Sequence, residues 1–371
     1  MGSHWPCHPA EEGSVSSPLE IAREFLVSEV APIANRMDAD PEVLRFGING
    51  LFDRGLMALR RPDAYGGPAV AESEFRAFQE LVARYSGALA FLQTQHQSAG
   101  SMIAKSKNES LKARYLPCMA DGKKRLGIGF SQLRRPGAPM VTATPVDGGY
   151  SLRGHVPWVT GWTFYDEFLI GATLTNGEAV FGVIPFTSGP GMTISPPMEL
   201  AAMQSAQTVT ADLDGVFLSE DDVAFIHPPR WIHANDMLNI ALQAHFALGC
   251  AQAGLDIFHR GMSKKPTSVG VLTDAYENLV GELDSCRSRL AVIQERPDSV
   301  TDAEKLDVRT QAIELSVRCA HAAIAVTGGS ANSNHHPAQR VLREALVFTV
   351  SAQTAPIMEA TVRRLTFRTH F

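Results

Sequence analysis

The apolar periodicity of the chain switches twice, and that double switch constrains the fold more than any single motif. Over residues 18 to about 124 apolar side chains recur at helical spacing, in Ile21, Phe25, Leu26 and Val30, in Leu44, Ile48, Leu51 and Phe52, and in Phe75, Phe78, Leu81 and Val82. Tyr65-Gly66-Gly67-Pro68 and Asn108-Glu109-Ser110 punctuate this region as turns. From Leu126 to about Phe225 the pattern becomes short runs of period two or short apolar stretches, such as Glu167-Phe168-Leu169-Ile170 and Ala179-Val180-Phe181, bounded by Gly, Pro, Asp and Asn. Helical spacing then returns and predicts helices over 237–261, 272–294 and 302–326. The last of these opens with a Thr301/Glu304 capping box and stops at Gly328-Gly329. A fourth helical segment, 340–366, is broken near Pro356.

This order predicts an α+β chain. A disordered leader over 1–17 precedes an N-terminal helical domain over 18–125. A middle β-barrel or sandwich domain follows over 126–226, and a C-terminal four-helix bundle over 227–371. Charge and cysteine usage narrow the function classes. With 33 Lys+Arg against 39 Asp+Glu the net charge is −6 and no long run has one sign, which disfavours nucleic-acid binding. The most apolar stretch, 237–258, is interrupted by Asn239, Gln243, His245, Gln252 and Asp256, too polar for a bilayer span, so no membrane association is expected. Cys7, Cys118, Cys250, Cys286 and Cys319 are odd in number, scattered and never paired as C-x-x-C. They predict a reduced, cytoplasmic setting without a disulfide framework or metal site.

Four spaced segments carry a family resemblance. They are Gly55-Leu56-Met57-Ala58-Leu59 with Tyr65-Gly66-Gly67; Gly148-Gly149-Tyr150 with Trp158-Val159-Thr160, Tyr165-Asp166 and Gly171-Ala172; Met203 to Thr208 ahead of Asp212-Leu213-Asp214; and Gly328-Gly329, Pro337 and Arg340 to Ala345. Together the chain resembles the acyl-CoA dehydrogenase family, flavoproteins with a β domain between two helical domains. The resemblance runs over almost the whole chain and implies FAD, with FMN as the alternative.

An isoalloxazine ring needs a flat apolar wall and a hydrogen-bond donor near N5, where hydride arrives. Trp158 is the candidate wall and Thr160 the candidate donor, two apart on one strand and so expected on one side. Taken alone, the Trp-Val-Thr triplet reads more simply as a core aromatic and a routine strand threonine; its flanking Gly154 and Tyr165-Asp166 tip it toward the flavin. By the resemblance, Ser131 serves the pyrimidine edge, Thr354 is a cofactor-binding residue, and Lys264 or Lys265 replaces the charge, though not the fork, of an arginine that reaches a neighbouring flavin's phosphates. Gly328-Gly329 would let a backbone approach a pyrophosphate, or simply cap a helix. Arg134 and Arg135, beside the flavin strand, are candidate contacts for a substrate phosphate.

The departures from the family are sharper. Its catalytic glutamate is replaced by Ala352 within Ser351-Ala352-Gln353-Thr354, and its alternative base position on the first long C-terminal helix carries Asn239. Neither side chain accepts a proton near neutral pH. His335 and His336 are alternative acceptors, or solvated residues before Pro337. Three functions follow. The first is a flavin-dependent oxidoreductase on an acyl thioester of CoA or a carrier protein, or on a related substrate, without the usual base. The second is a flavin-dependent monooxygenase or N-hydroxylase on the same fold. The third is a non-catalytic subunit or acyl-carrier-binding protein. A homodimer or homotetramer packed through the C-terminal helices is expected, with an electron-transfer flavoprotein or flavin reductase as redox partner.

Overall fold

The structure, a computed structural model, describes residues 17–367. The expected leader lies outside them except for Ser17, whose hydroxyl and backbone N–H complete a capping box with Glu20 at the start of the first helix. Six helices come first: α1 Pro18–Phe25, α2 Ala34–Ala39, α3 Pro41–Asp53, α4 Glu72–Tyr85, α5 Gly87–Ala104 and α6 Glu109–Tyr115. Asp40, Ser86 and Asn108 cap α3, α5 and α6 with side-chain oxygens.

Eight strands then form one sheet: β1 Leu126–Gly129, β2 Val141–Val146, β3 Gly149–Val159, β4 Glu167–Leu174, β5 Ala179–Pro185, β6 Met192–Ile194, β7 Val209–Ser219 and β8 Val223–His227. Their order is β6-β7-β3-β2-β4-β5-β8, with β1 parallel to β4. The sheet rolls on itself. A Cβ added to Gly182 of β5 would lie 2.5 Å from the Leu218 side chain of β7, although these strands are not ladder neighbours.

Six helices complete the chain: α7 Trp231–Leu238, α8 Ala244–Met262, α9 Val269–Glu295, α10 Asp302–Thr327, α11 Pro337–Val350 and α12 Ala355–Thr366. Helix α8 is the central one. Its Gly249 comes so close to α4 that a Cβ would sit 2.2 Å from the Glu80 carbonyl oxygen, and at its Gly254 a Cβ would sit 2.7 Å from the Cys319 carbonyl carbon of α10. No helix among the described residues is long and apolar enough to cross a membrane.

One predicted helix is corrected. The segment expected over 237–261 is two helices with a turn at 239–243. Asn239 caps the end of α7, where its side-chain amide donates to the Asn235 carbonyl at 2.7 Å, while Ile240 turns inward to pack with Ile313 and Ile357. A side chain that satisfies terminal carbonyls competes with helix continuation, and the periodicity of the apolar residues does not register it.

The three regions meet at a buried polar junction. Glu344 of α11 is fully buried, takes two hydrogen bonds from Arg340 at 2.8 and 2.9 Å, and accepts the Gly87 N–H of α5 at 3.0 Å. Asp38 of α2 accepts from Arg343 at 2.7 Å and from the Met203 N–H of the β region at 2.6 Å. Each domain therefore holds the orientation of the other two.

Candidate functional site

Strand β1 ends at Gly129, and Ser131 opens the short turn that follows. Gln132 staples this turn to the sheet by donating to the carbonyls of Gly129 at 3.2 Å and Gly171 at 2.8 Å. The Ser131 hydroxyl is buried with no partner among the described residues. Buried hydroxyls are normally hydrogen-bonded, so this one keeps capacity for a group outside the chain.

Thr160 lies just past the end of β3 and is buried, its hydroxyl 3.0 Å from that of Thr208. A hydroxyl both donates and accepts, so the pair keeps hydrogen-bonding capacity for a further group. Trp158 is 45% exposed. Of the two, only Trp158 lies on the strand as expected, and it is far more exposed than Thr160. The pairing of β3 with β7 shifts register between Val156 and Val159, and the strand ends before Thr160. Simple alternation does not survive such an irregularity.

On the bundle side, α11 and α12 are joined by Ser351 to Thr354. Ala352, at the position of the expected base, has φ +49°, a left-handed conformation uncommon for alanine. Thr354 occupies the N-cap position of α12, yet its hydroxyl does not cap the helix and is buried without a partner among the described residues. It is the second unpartnered hydroxyl at a position expected to touch flavin. Asn239, at the other base position, is a half-buried amide engaged by Asn235. His336 uses Nδ1 to accept the Ala338 N–H at the start of α11, and the exposed His335 accepts from Asn35 through its carbonyl.

Lys265 and Gly328, remote in sequence, are neighbours: the Lys265 Nζ lies 4.0 Å from where a Cβ on Gly328 would stand. Around Gly329 no atom of the described residues lies within 4 Å of such a Cβ, so the backbone there is open to approach among them.

Arg134 and Arg135 separate. Arg134 donates twice to Asp236 of α7, at 2.7 and 2.8 Å, and so ties the turn after β1 to that helix. Arg135 lines a cavity of about 210 Å³ with Arg230, Trp231 and His233, and neither Arg135 nor Arg230 joins an ion pair among the described residues. Arg230 and Asp236 were not singled out by the sequence, and nothing local marks them; Thr208 was marked only as the last residue of the Met203 to Thr208 motif, without a role of its own.

A flavin fits this residue set. Two buried hydroxyls lack partners, a threonine pair has spare capacity, and a lysine stands beside open glycine backbone.

Residues 18–123 match the family described as acyl-CoA dehydrogenase, N-terminal domain. Among curated proteins, the 3-(aryl)acrylate reductase of Clostridium sporogenes is 24% identical over 64% of this chain and 65% of its own length. The mitochondrial isovaleryl-CoA dehydrogenase of Solanum tuberosum is 23% identical over 94% of this chain and 89% of its own. Among solved structures, butyryl-CoA dehydrogenase from Megasphaera elsdenii superimposes with a TM-score of 0.78 at 18% identity, covering 94% of this chain and 97% of its own.

Proposed function

Because the chain belongs to the acyl-CoA dehydrogenase family, we propose that it is an FAD-dependent oxidoreductase acting on an acyl thioester or a related acyl substrate without the family's glutamate base. The observation that carries this reading is the pair of buried, unpartnered hydroxyls of Ser131 and Thr354, one from the β region and one from the bundle. When bound, the flavin would accept the hydride equivalent from the substrate. Thr160, backed by Thr208, would offer a hydrogen bond to it, and Lys265 with Gly328-Gly329 would meet a phosphate-bearing part, that of a second copy if the chain oligomerises as its relatives are expected to. Arg135 and Arg230 are suited to an anionic group of the substrate at the cavity they line, whereas Arg134 is occupied by Asp236.

The missing proton acceptor limits the chemistry. Removing an α-proton from a thioester needs a positioned base, and a methyl group at Ala352 and an amide at Asn239 supply none. A flavin-dependent monooxygenase, which abstracts no α-proton, is the second reading, favoured by those same two side chains. For the oligomer, Leu346 and Val350 of α11 and Met358, Val362 and Leu365 of α12 are exposed at helical spacing and suit a face that packs on another copy.

The test is anaerobic titration of the FAD-loaded protein with acyl-CoA thioesters, followed by turnover with an artificial electron acceptor. Perturbation of the flavin spectrum with only slow bleaching supports the proposal. Rapid bleaching and robust turnover would contradict the base-free reading, and failure to load FAD would contradict the flavin reading itself.

A further inference from the structure

Arg309 of α10 is the largest fully buried side chain in the described structure. A buried guanidinium is ordinarily paired with a carboxylate, since an unpaired buried charge is costly. Arg309 has no such partner among the described residues. Its Nη2 donates to the Ser351 carbonyl at 3.0 Å and more weakly to that of Phe348 at 3.5 Å, and its Nε is buried without a partner. Burial alone pushes it down to about 10, so it is still charged at neutral pH.

Both acceptors lie at the C-terminal end of α11, where the partial negative charge of the helix favours a cation. This explains why the charge is tolerated there. It leaves open why an arginine, rather than a small apolar residue, is spent at this point. The segment it fastens supplies the reason. Ser351 is the residue before Ala352, whose left-handed backbone turns the chain, and Thr354 closes the same segment with its hydroxyl turned away from capping α12. A loop with one strained residue and one unused hydroxyl holds its shape only when something over-determines it.

We infer that Arg309 is a positioning residue for the cofactor: by gripping the Ser351 carbonyl it fixes the 351–354 loop so that the Thr354 hydroxyl faces the flavin, and its charge, unmatched by any carboxylate among the described residues, favours the electron-rich reduced flavin. The inference rests on the flavin reading above. Arg309 acts through the loop and through its field, without touching the substrate.

The test compares the wild-type chain with Arg309→Met and Arg309→Lys, each checked for a cooperative unfolding transition and then loaded with FAD. Arg309→Met is expected to bind FAD about tenfold more weakly and to lower the reduced-to-oxidised flavin ratio at a fixed potential about tenfold, which for a two-electron couple is about 30 mV. Arg309→Lys keeps the charge but loses the fork, and is expected to recover most of the shift in that ratio and little of the affinity. A purely structural role would lower stability and leave the ratio unmoved. Wild-type affinity and ratio in Arg309→Met would overturn this inference alone, as would a ratio in Arg309→Lys no closer to wild type than that of Arg309→Met. Failure of the wild-type chain to take up FAD would overturn the flavin reading and this inference together.

Discussion

The Lys265 ammonium stands 4.0 Å from the point that a Cβ on Gly328 would occupy, so the turn after α8 and the end of α10 make one cationic corner with bare backbone beside it. Gly328 has φ +78° and ψ −152°, a region open in practice to glycine alone. If this corner meets a cofactor phosphate, Lys265→Glu should weaken FAD binding about tenfold and remove much of its dependence on salt. Fluorescence titration at two ionic strengths reads both effects. Gly328→Ala should cost about 1–3 kcal/mol of stability through backbone strain, measured by denaturant unfolding.

Restoring a carboxylate at Ala352 tests the account of the missing base. The residue is exposed and already left-handed, so Ala352→Glu adds no backbone penalty specific to glutamate. Turnover of an acyl-CoA substrate with an artificial acceptor should rise about a hundredfold, the lower range of general-base contributions. It should also gain a limb in its pH profile set by the new carboxyl. Unchanged turnover would mean that position 352 does not face the reacting carbon.

The helical and β regions were legible because burial imposes period 3.6 or 2 on apolar residues, and the Thr301/Glu304 box and Gly328 mark the ends of α10 as expected. What the sequence could not show arises from contacts between remote segments. Asn239 breaks a helix through a hydrogen bond that periodicity ignores. Thr160 falls just past the end of β3, beyond a register shift against the partner strand β7. Arg134 and Arg135 are adjacent and alike in sequence, yet only one meets Asp236. Arg309 looks like any surface arginine of a long helix until the loop above it is placed.

Acid sensitivity follows from His96. Its ring is fully buried, accepts the Leu126 N–H at Nδ1 and donates from Nε2 to the Met119 carbonyl, and burial pushes it down to about 4. The unfolded chain binds this proton near the ordinary value of about 6.5 and the folded chain does not. Stability is therefore intact above about pH 6.5 and declines as pH falls, by about 3 kcal/mol near pH 4 from this group. His96→Gln should flatten that part of the curve, as urea midpoints across the range would show.

Removing Glu344 should be among the most damaging single changes. Glu344→Ala leaves the buried Arg340 without its carboxylate and the Gly87 N–H without its acceptor, at a cost of about 3–5 kcal/mol. Replacing the pair together, with Arg340→Met and Glu344→Leu, should cost less than the single change. A double variant less stable than Glu344→Ala would show that the junction depends on the ion pair for more than charge balance.

The central claim, that this chain holds a flavin between its rolled sheet and its C-terminal helices, is tested most directly by the visible absorption spectrum of the purified protein, with identification of what it releases on denaturation. The account predicts an oxidised-flavin spectrum and release of FAD, with uptake weakened when Ser131 and Thr354 are both replaced by valine. A colourless protein that takes up neither FAD nor FMN would contradict it and leave Trp158 and Thr160 as parts of a β-domain wall with no redox role.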